Sequence, residues 1–201
     1  MHTKRILPAI VMACALALLS ACASTGGVRS EAAVGAYRDS IDLSGRLLVN
    51  FEKDGKPDTI SVKFTWAQTP AAVDASLLSP TGQTVAKINV TPLAAILTQA
   101  GKEPRVASNI DELTAQTLGW SLPVSGMRDW LQGYATAAGG KRFAASPANN
   151  AVTTADGWSL TFVSWQDDKA AQPVPKRIDA TRPASTTSSE LALRIVLDQQ
   201  G

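Results

Sequence analysis

The strongest constraint on how this chain can fold is a pair of neighbouring runs that alternate with period two. Ile41, Leu43, Gly45, Leu47, Val49 and Phe51 share one face, and Asp42, Ser44, Arg46, Asn50 and Glu52 fall on the other, with Leu48 the break in the pattern. After Asp54-Gly55 the scheme repeats, with Ile60, Val62, Phe64 and Trp66 set against Ser61, Lys63 and Thr65. Side chains on a strand point to opposite faces in turn, so each run predicts a strand with one buried and one solvated side. Asp-Gly between two such runs predicts a tight hairpin.

The rest of the chain extends that pattern. Weaker runs at 72–78, 85–90 and 94–99 are broken by Ser79-Pro80-Thr81-Gly82, Pro92 and Gly101. Short strands punctuated by Gly and Pro predict an antiparallel meander rather than β-α-β units. Asn109 ahead of Asp111 and Glu112 predicts a capped helix ending near Leu118-Gly119, and a second short helix is predicted over 125–132. A short helix is also predicted over 31–38, capped by Ser30. Alternation returns at Trp158, Leu160 and Phe162, is weaker over 174–181, and is clear at Leu191, Leu193, Ile195 and Leu197. The expected fold is mainly β with short helices (α+β): a single curled antiparallel sheet of about nine to eleven strands forming an incomplete barrel. A sheet with one long apolar face must curl, and two or three helices are the natural cover for its open side.

The N-terminus carries a different message. Lys4 and Arg5 precede an apolar run from Ile6 to Leu19, followed by Ser20, Ala21 and Cys22. This is the plan of a secretory signal, and the run is too short to cross a ~30 Å hydrocarbon core. Leu19-Ser20-Ala21-Cys22 resembles the bacterial lipobox, whose cysteine becomes the lipidated first residue of the mature protein. The expected organisation is a signal peptide over 1–21, the lipidated Cys22 and a tether with its short helix over 22–40, and one β domain over 41–201. Ala23 after the cysteine, rather than the Asp that retains such proteins at the inner membrane, points to an outer-membrane anchor facing the periplasm.

Removing 1–21 takes two cations and no acids from a chain of 19 Lys+Arg and 17 Asp+Glu, so the mature body is formally neutral. That argues against nucleic acid, whose binding rests on surplus cations. His2 and Cys14 leave with the signal and Cys22 is consumed by lipid, so the body has no imidazole and no free thiol. Triads built on Ser-His or Cys-His are excluded, and the two commonest transition-metal ligands are missing. No Gly-x-Ser-x-Gly turn is present. Ser-Lys and carboxylate-only mechanisms are left open by composition, but no catalytic constellation, metal site or cofactor is expected beyond the covalent lipid.

Gly119-Trp120-Ser121-Leu122-Pro123-Val124, followed by Met127, Trp130-Leu131 and Gly133, resembles the central motif of the LolB family. Leu43-Ser44-Gly45-Arg46-Leu47, Phe64-Thr65-Trp66-Ala67-Gln68, Ser79-Pro80-Thr81-Gly82 and Gly157-Trp158 match its other landmarks in order. The resemblance implies an outer-membrane lipoprotein that receives acylated lipoproteins from a periplasmic, LolA-like carrier and inserts them into the membrane without ATP. It implies an incomplete barrel around an apolar cavity for acyl chains. Such a cavity answers a physical need: each buried methylene is worth ~0.8 kcal/mol, so three long chains lose roughly 30 kcal/mol on entering water.

Within that picture Trp66, Trp120 and Trp158 are expected to line the cavity, with Phe51, Phe64, Leu122, Met127 and Phe162 as further candidates. Trp130 is expected in the core, and a monomer is expected. The Ser79–Gly82 loop is where family members carry a membrane-entering leucine between Pro80 and Gly82; here that place is Thr81, with Leu77 or Leu78 as possible replacements. Arg46, Lys63, Lys87, Arg128, Lys141, Arg142 and Arg177 are the cations from which a patch for an acidic carrier rim would be drawn. The competing expectation is a structural envelope lipoprotein, an assembly scaffold with a packed core and no ligand.

Overall fold

The first alternating run becomes β1 (Ile41–Lys53) and the second β2 (Lys56–Gln68), each thirteen residues long. They pair without interruption from Ile41 opposite Gln68 to Lys53 opposite Lys56. Only Asp54 and Gly55 lie between, with φ of 53° and 72°, the left-handed conformation that a two-residue hairpin demands at both positions. The computed structural model describes residues 30–186 and 189–199. The expected signal peptide and Cys22 lie outside the described residues.

Eight further strands continue the meander on either side of this hairpin. β3 (Val73–Leu78), β4 (Thr84–Val90), β5 (Ala95–Gln99) and β6 (Arg105–Ala107) follow β2 in order. β9 (Ala151–Thr153), β10 (Ser159–Trp165), β11 (Pro175–Arg182) and β12 (Leu191–Leu197) return to it, with β12 closing against β1. The order is β6-β5-β4-β3-β2-β1-β12-β11-β10-β9, antiparallel at every pairing of neighbours and with β6 and β9 left as edges. The sheet is therefore large and open, not closed into a barrel. β7 (Tyr134–Thr136) and β8 (Arg142–Ala144) form a separate pair.

Two helices join the sheet. α1 (Ile110–Leu118) begins where Asn109 Oδ1 accepts the backbone N–H groups of Asp111 and Glu112, and ends at Gly119, whose φ of 84° only glycine adopts freely. α2 (Val124–Trp130) follows directly after Pro123. Leu97 of β5, Ile178 of β11, Phe162 of β10, Leu113 of α1 and Met127 of α2 all belong to one buried apolar cluster. The two halves of the sheet thus share a single interior.

One position sets how closely that interior packs. Gly45 on β1 lies opposite Phe64, and a Cβ there would fall against the Val196 carbonyl oxygen and 2.8 Å from Phe64 Cε1. The glycine lets the Phe64 ring lie flat over the strand.

Two expectations need correction. The twelve strands among the described residues exceed the nine to eleven expected, because β6, β7, β8 and β9 have only three residues each. Residues 31–38 form no helix. That segment is instead docked on the body: Val34 N–H donates to the Ala145 carbonyl at 2.9 Å, Arg38 N–H to Gln132 Oε1 at 2.9 Å, and Tyr134 O–H to the Gly35 carbonyl at 2.6 Å. Amides given to the body are not available for helical i→i−4 bonds.

Candidate functional site

The inward face of the hairpin, the helix α2 with the connection before it, and β10 with the residue ahead of it supply the apolar residues singled out above. Trp66, Trp120, Trp158, Phe51, Phe64, Leu122, Met127 and Phe162 are all buried and all lie in the one apolar cluster. Two of them, Trp158 and Phe162, meet other rings. Trp158 meets Trp130 edge-on with centroids 5.6 Å apart. Phe162 stacks between Phe143 at 6.3 Å and Trp165 at 6.1 Å.

A buried indole needs a partner for its N–H. Trp66 Nε1 donates to Gln68 Oε1 at 3.2 Å, and Gln68 Nε2 donates in turn to the Tyr37 hydroxyl at 2.8 Å. The docked segment therefore completes the polar side of the interior. Tyr37 is held in place by Tyr134, 5.7 Å away edge-on, and by Arg142, whose guanidinium stands 4.8 Å from the Tyr37 centroid and 4.5 Å from that of Tyr134.

The interior reaches the surface at the end of the sheet far from this segment. A cleft of about 180 Å³ there is lined by Phe51, Trp120, Arg182, Glu190 and Leu191 among others. Arg182 lies with its guanidinium 5.0 Å from the Trp158 ring centroid. Its Nε is buried and has no hydrogen-bond partner in the structure. A buried donor left unpaired is unusual and marks a place where a ligand acceptor would be welcome. Phe51 and Trp120 thus share the cleft with Arg182, and Trp158 lies under its guanidinium. The sequence offered no signal for Arg182, which lies outside the alternating runs that flagged the aromatics.

The wall of this cleft on the helix side is fastened by polar contacts. Thr114 Oγ1 donates to the Asp111 carbonyl at 2.9 Å and accepts from Leu122 N–H at 2.9 Å. The Asp111 carboxylate accepts from Ser125 Oγ at 2.5 Å and from Ser125 N–H at 3.3 Å, tying α1 to α2. Burial pushes the Asp111 carboxyl above its ordinary pKa, against the opposing pull of the Ser125 bonds. The native state then keeps a proton that the unfolded chain has already lost, so this group makes the protein less stable as pH rises through its native pKa. Between pH 7 and pH 4 the native protein should gain stability relative to Asp111→Asn as pH falls, in parallel urea unfolding series. A difference that stays flat with pH would show the carboxyl to be solvated.

The Ser79–Gly82 loop is a polar turn. Pro80, Thr81 and Gly82 are exposed, Thr81 Oγ1 lies 2.8 Å from Ser79 Oγ, and Gly82 N–H donates to the Ser79 carbonyl at 2.9 Å. Leu77 is buried and Leu78 half-buried, so neither projects from it. Among the cations, Arg46 and Lys63 are cross-strand neighbours on the outward face, Arg128 donates to the Thr69 carbonyl at 2.9 Å, and Arg177 is engaged by Asp179. Among the described residues no group of three or more His, Cys, Asp or Glu could hold a metal ion.

Residues 39–199 match the family model described as outer membrane lipoprotein LolB. The chain is 38% identical over 188 residues to the outer-membrane lipoprotein LolB of Cupriavidus taiwanensis, covering 91% of each. It is 33% identical over 210 residues to that of Ralstonia nicotianae, covering 98% of each. Among solved structures, a LolA superfamily protein from Nitrosomonas europaea aligns over 83% of this chain and 87% of its own, with a TM-score of 0.44 and 6% identity.

Proposed function

The chain belongs to the LolB family of outer-membrane lipoproteins, and from that premise we propose that it takes up the acyl chains of client lipoproteins and releases them into the outer membrane. It is a lipid-anchored protein facing the periplasm, with a part in lipoprotein localisation alongside a LolA-like carrier, and it is not an enzyme. In this reading residues 1–21 are removed, Cys22 carries the lipid, 22–40 connect it to the body, and 41–201 form a monomeric acyl-binding domain.

The observation that carries the reading is Arg182, stacked on buried Trp158 and lining with Phe51 and Trp120 the cleft where the interior meets the surface. An acylated cysteine is long and apolar, with ester and amide carbonyls at its head. The aromatic interior suits the chains, and the unpaired Arg182 Nε suits a carbonyl oxygen at the mouth. Because these residues are buried, entry of a chain requires the interior to open, and Met127 on α2 supplies an adaptable side chain there. Release from carrier to receptor needs no ATP when the receiving interior binds the chains more strongly.

The experiment is transfer itself: the purified mature protein is mixed with a carrier–lipoprotein complex and the lipoprotein is followed. It should leave the carrier, and Trp120→Glu should slow its departure at least about tenfold through a charge placed in the acyl path. A lipoprotein that stays on the carrier defeats the reading. It would favour instead a structural envelope lipoprotein, a role the close packing of all eight interior residues also suits.

A further inference from the structure

We propose that the turn between β4 and β5 is a membrane-contact tip, with Leu93 entering the leaflet that holds the anchor. The proposal rests on lipid attachment at Cys22 and not on acyl transfer.

Leu93 is 94% exposed, far more than Val106 at 65%, the next most exposed large apolar residue among the described residues. The turn that carries it is closed on itself. Thr91 N–H and Oγ1 donate to the Ala94 carbonyl at 2.9 and 3.1 Å, and Thr91 Oγ1 accepts the Ala94 N–H at 3.2 Å. The backbone has few bonds left to give, and the leucine is what it presents. Half-buried Ile96 and exposed Val106 lie opposite one another on the outward face just behind it, forming an apolar shoulder. From Ile88 to Gly101 the hairpin carries no charged residue, and the adjacent turn Thr69-Pro70-Ala71-Ala72 carries none either. Charged groups are what make entry into a bilayer costly, and the tip itself carries none; Arg128 on the Thr69 carbonyl and Asp167, Asp168 and Lys169 of the β10–β11 connection stand beside it at the same end.

Chain geometry turns this tip toward the membrane. The antiparallel order brings the start of β1, the β2–β3 and β4–β5 turns and the β10–β11 connection to the same end of the strands. Ser30 is fixed at that end, its N–H donating to the Asp168 carbonyl at 3.2 Å and its Oγ to the Ala170 carbonyl at 3.3 Å. Eight residue steps separate it from Cys22, a reach of at most ~28 Å. Thr81 lies at the other end of the seven-residue β4, roughly 23 Å further from the anchored end. The end that bears Leu93 is therefore nearer the anchor than the end that bears Thr81, and the proposal sets it against the bilayer.

The test uses the mature lipidated protein in phosphatidylethanolamine–phosphatidylglycerol vesicles. With Cys22 acylated, a cysteine introduced as Leu93→Cys or Thr81→Cys is the only thiol, and each is labelled with an environment-sensitive fluorophore. Emission from position 93 should shift to the blue and be quenched several-fold more by acyl-chain spin-labelled lipid than emission from position 81. Equal weak quenching at both positions, or stronger quenching at 81, overturns the proposal. So does a label at 93 that responds only when a carrier protein is added, which would make the tip a protein-docking surface.

Discussion

Replacing Trp158 with alanine should lower the free energy of unfolding by about 3–5 kcal/mol, measured by urea denaturation. The residue is fully buried at the start of the β10 segment, and its ring serves both the edge of Trp130 and the face under Arg182. Truncation leaves a void between Trp130 and Arg182. A domain of this size is stable by about 5–15 kcal/mol in all, so the loss consumes a large share of the margin. Trp158→Phe, which keeps a ring against Trp130, should cost clearly less. The comparison also bears on uptake of a ligand. If the alanine variant loses less than about 1 kcal/mol, the surrounding side chains have collapsed into the space, and the interior is more pliable than close packing of a fixed core allows.

Gly45→Ala should cost about 2–3 kcal/mol, the upper part of the range for overpacking. The extra methyl meets a backbone oxygen, that of Val196 on β12, and the Phe64 ring from the other side. A ring can turn, but the carbonyl belongs to the central β1–β12 pairing, which cannot shift without disturbing six registered residue pairs. Thermal unfolding of Gly45→Ala beside Gly45→Ala/Phe64→Leu separates the two contacts. If the double variant recovers most of the stability, the ring carries the strain; if it recovers little, the backbone does.

Much of this fold could be read from residue patterns because one face of each long strand is wet. β1, β2, β10 and β12 alternate cleanly for that reason, and Asp54-Gly55, Asn109 and Gly119 mark local requirements of the backbone itself. The short strands could not be read that way, since three residues do not establish a period. The segment 31–38 was misread because Glu31-Ala32-Ala33-Val34 favours a helix locally, while its amides and side chains are claimed by Ala145, Gln132 and Tyr134 about a hundred residues later. The same distance hid the site. The aromatic members were legible as inward positions on predicted strands, but Arg182 acquires its meaning only when β11 lies beside Trp158. Leu93 was hidden differently: an apolar residue after a turn proline reads as the start of a strand until its exposure is known.

An open sheet must end somewhere, and among the described residues both ends are strands of three residues, β6 and β9. Unpaired strand edges are templates on which other chains add, the first step toward aggregates. A protein tied to a surface meets its neighbours at high local concentration, where such edges are most dangerous. Keeping each edge to three residues allows the sheet to stay open while giving a passing polypeptide too short a ladder to join.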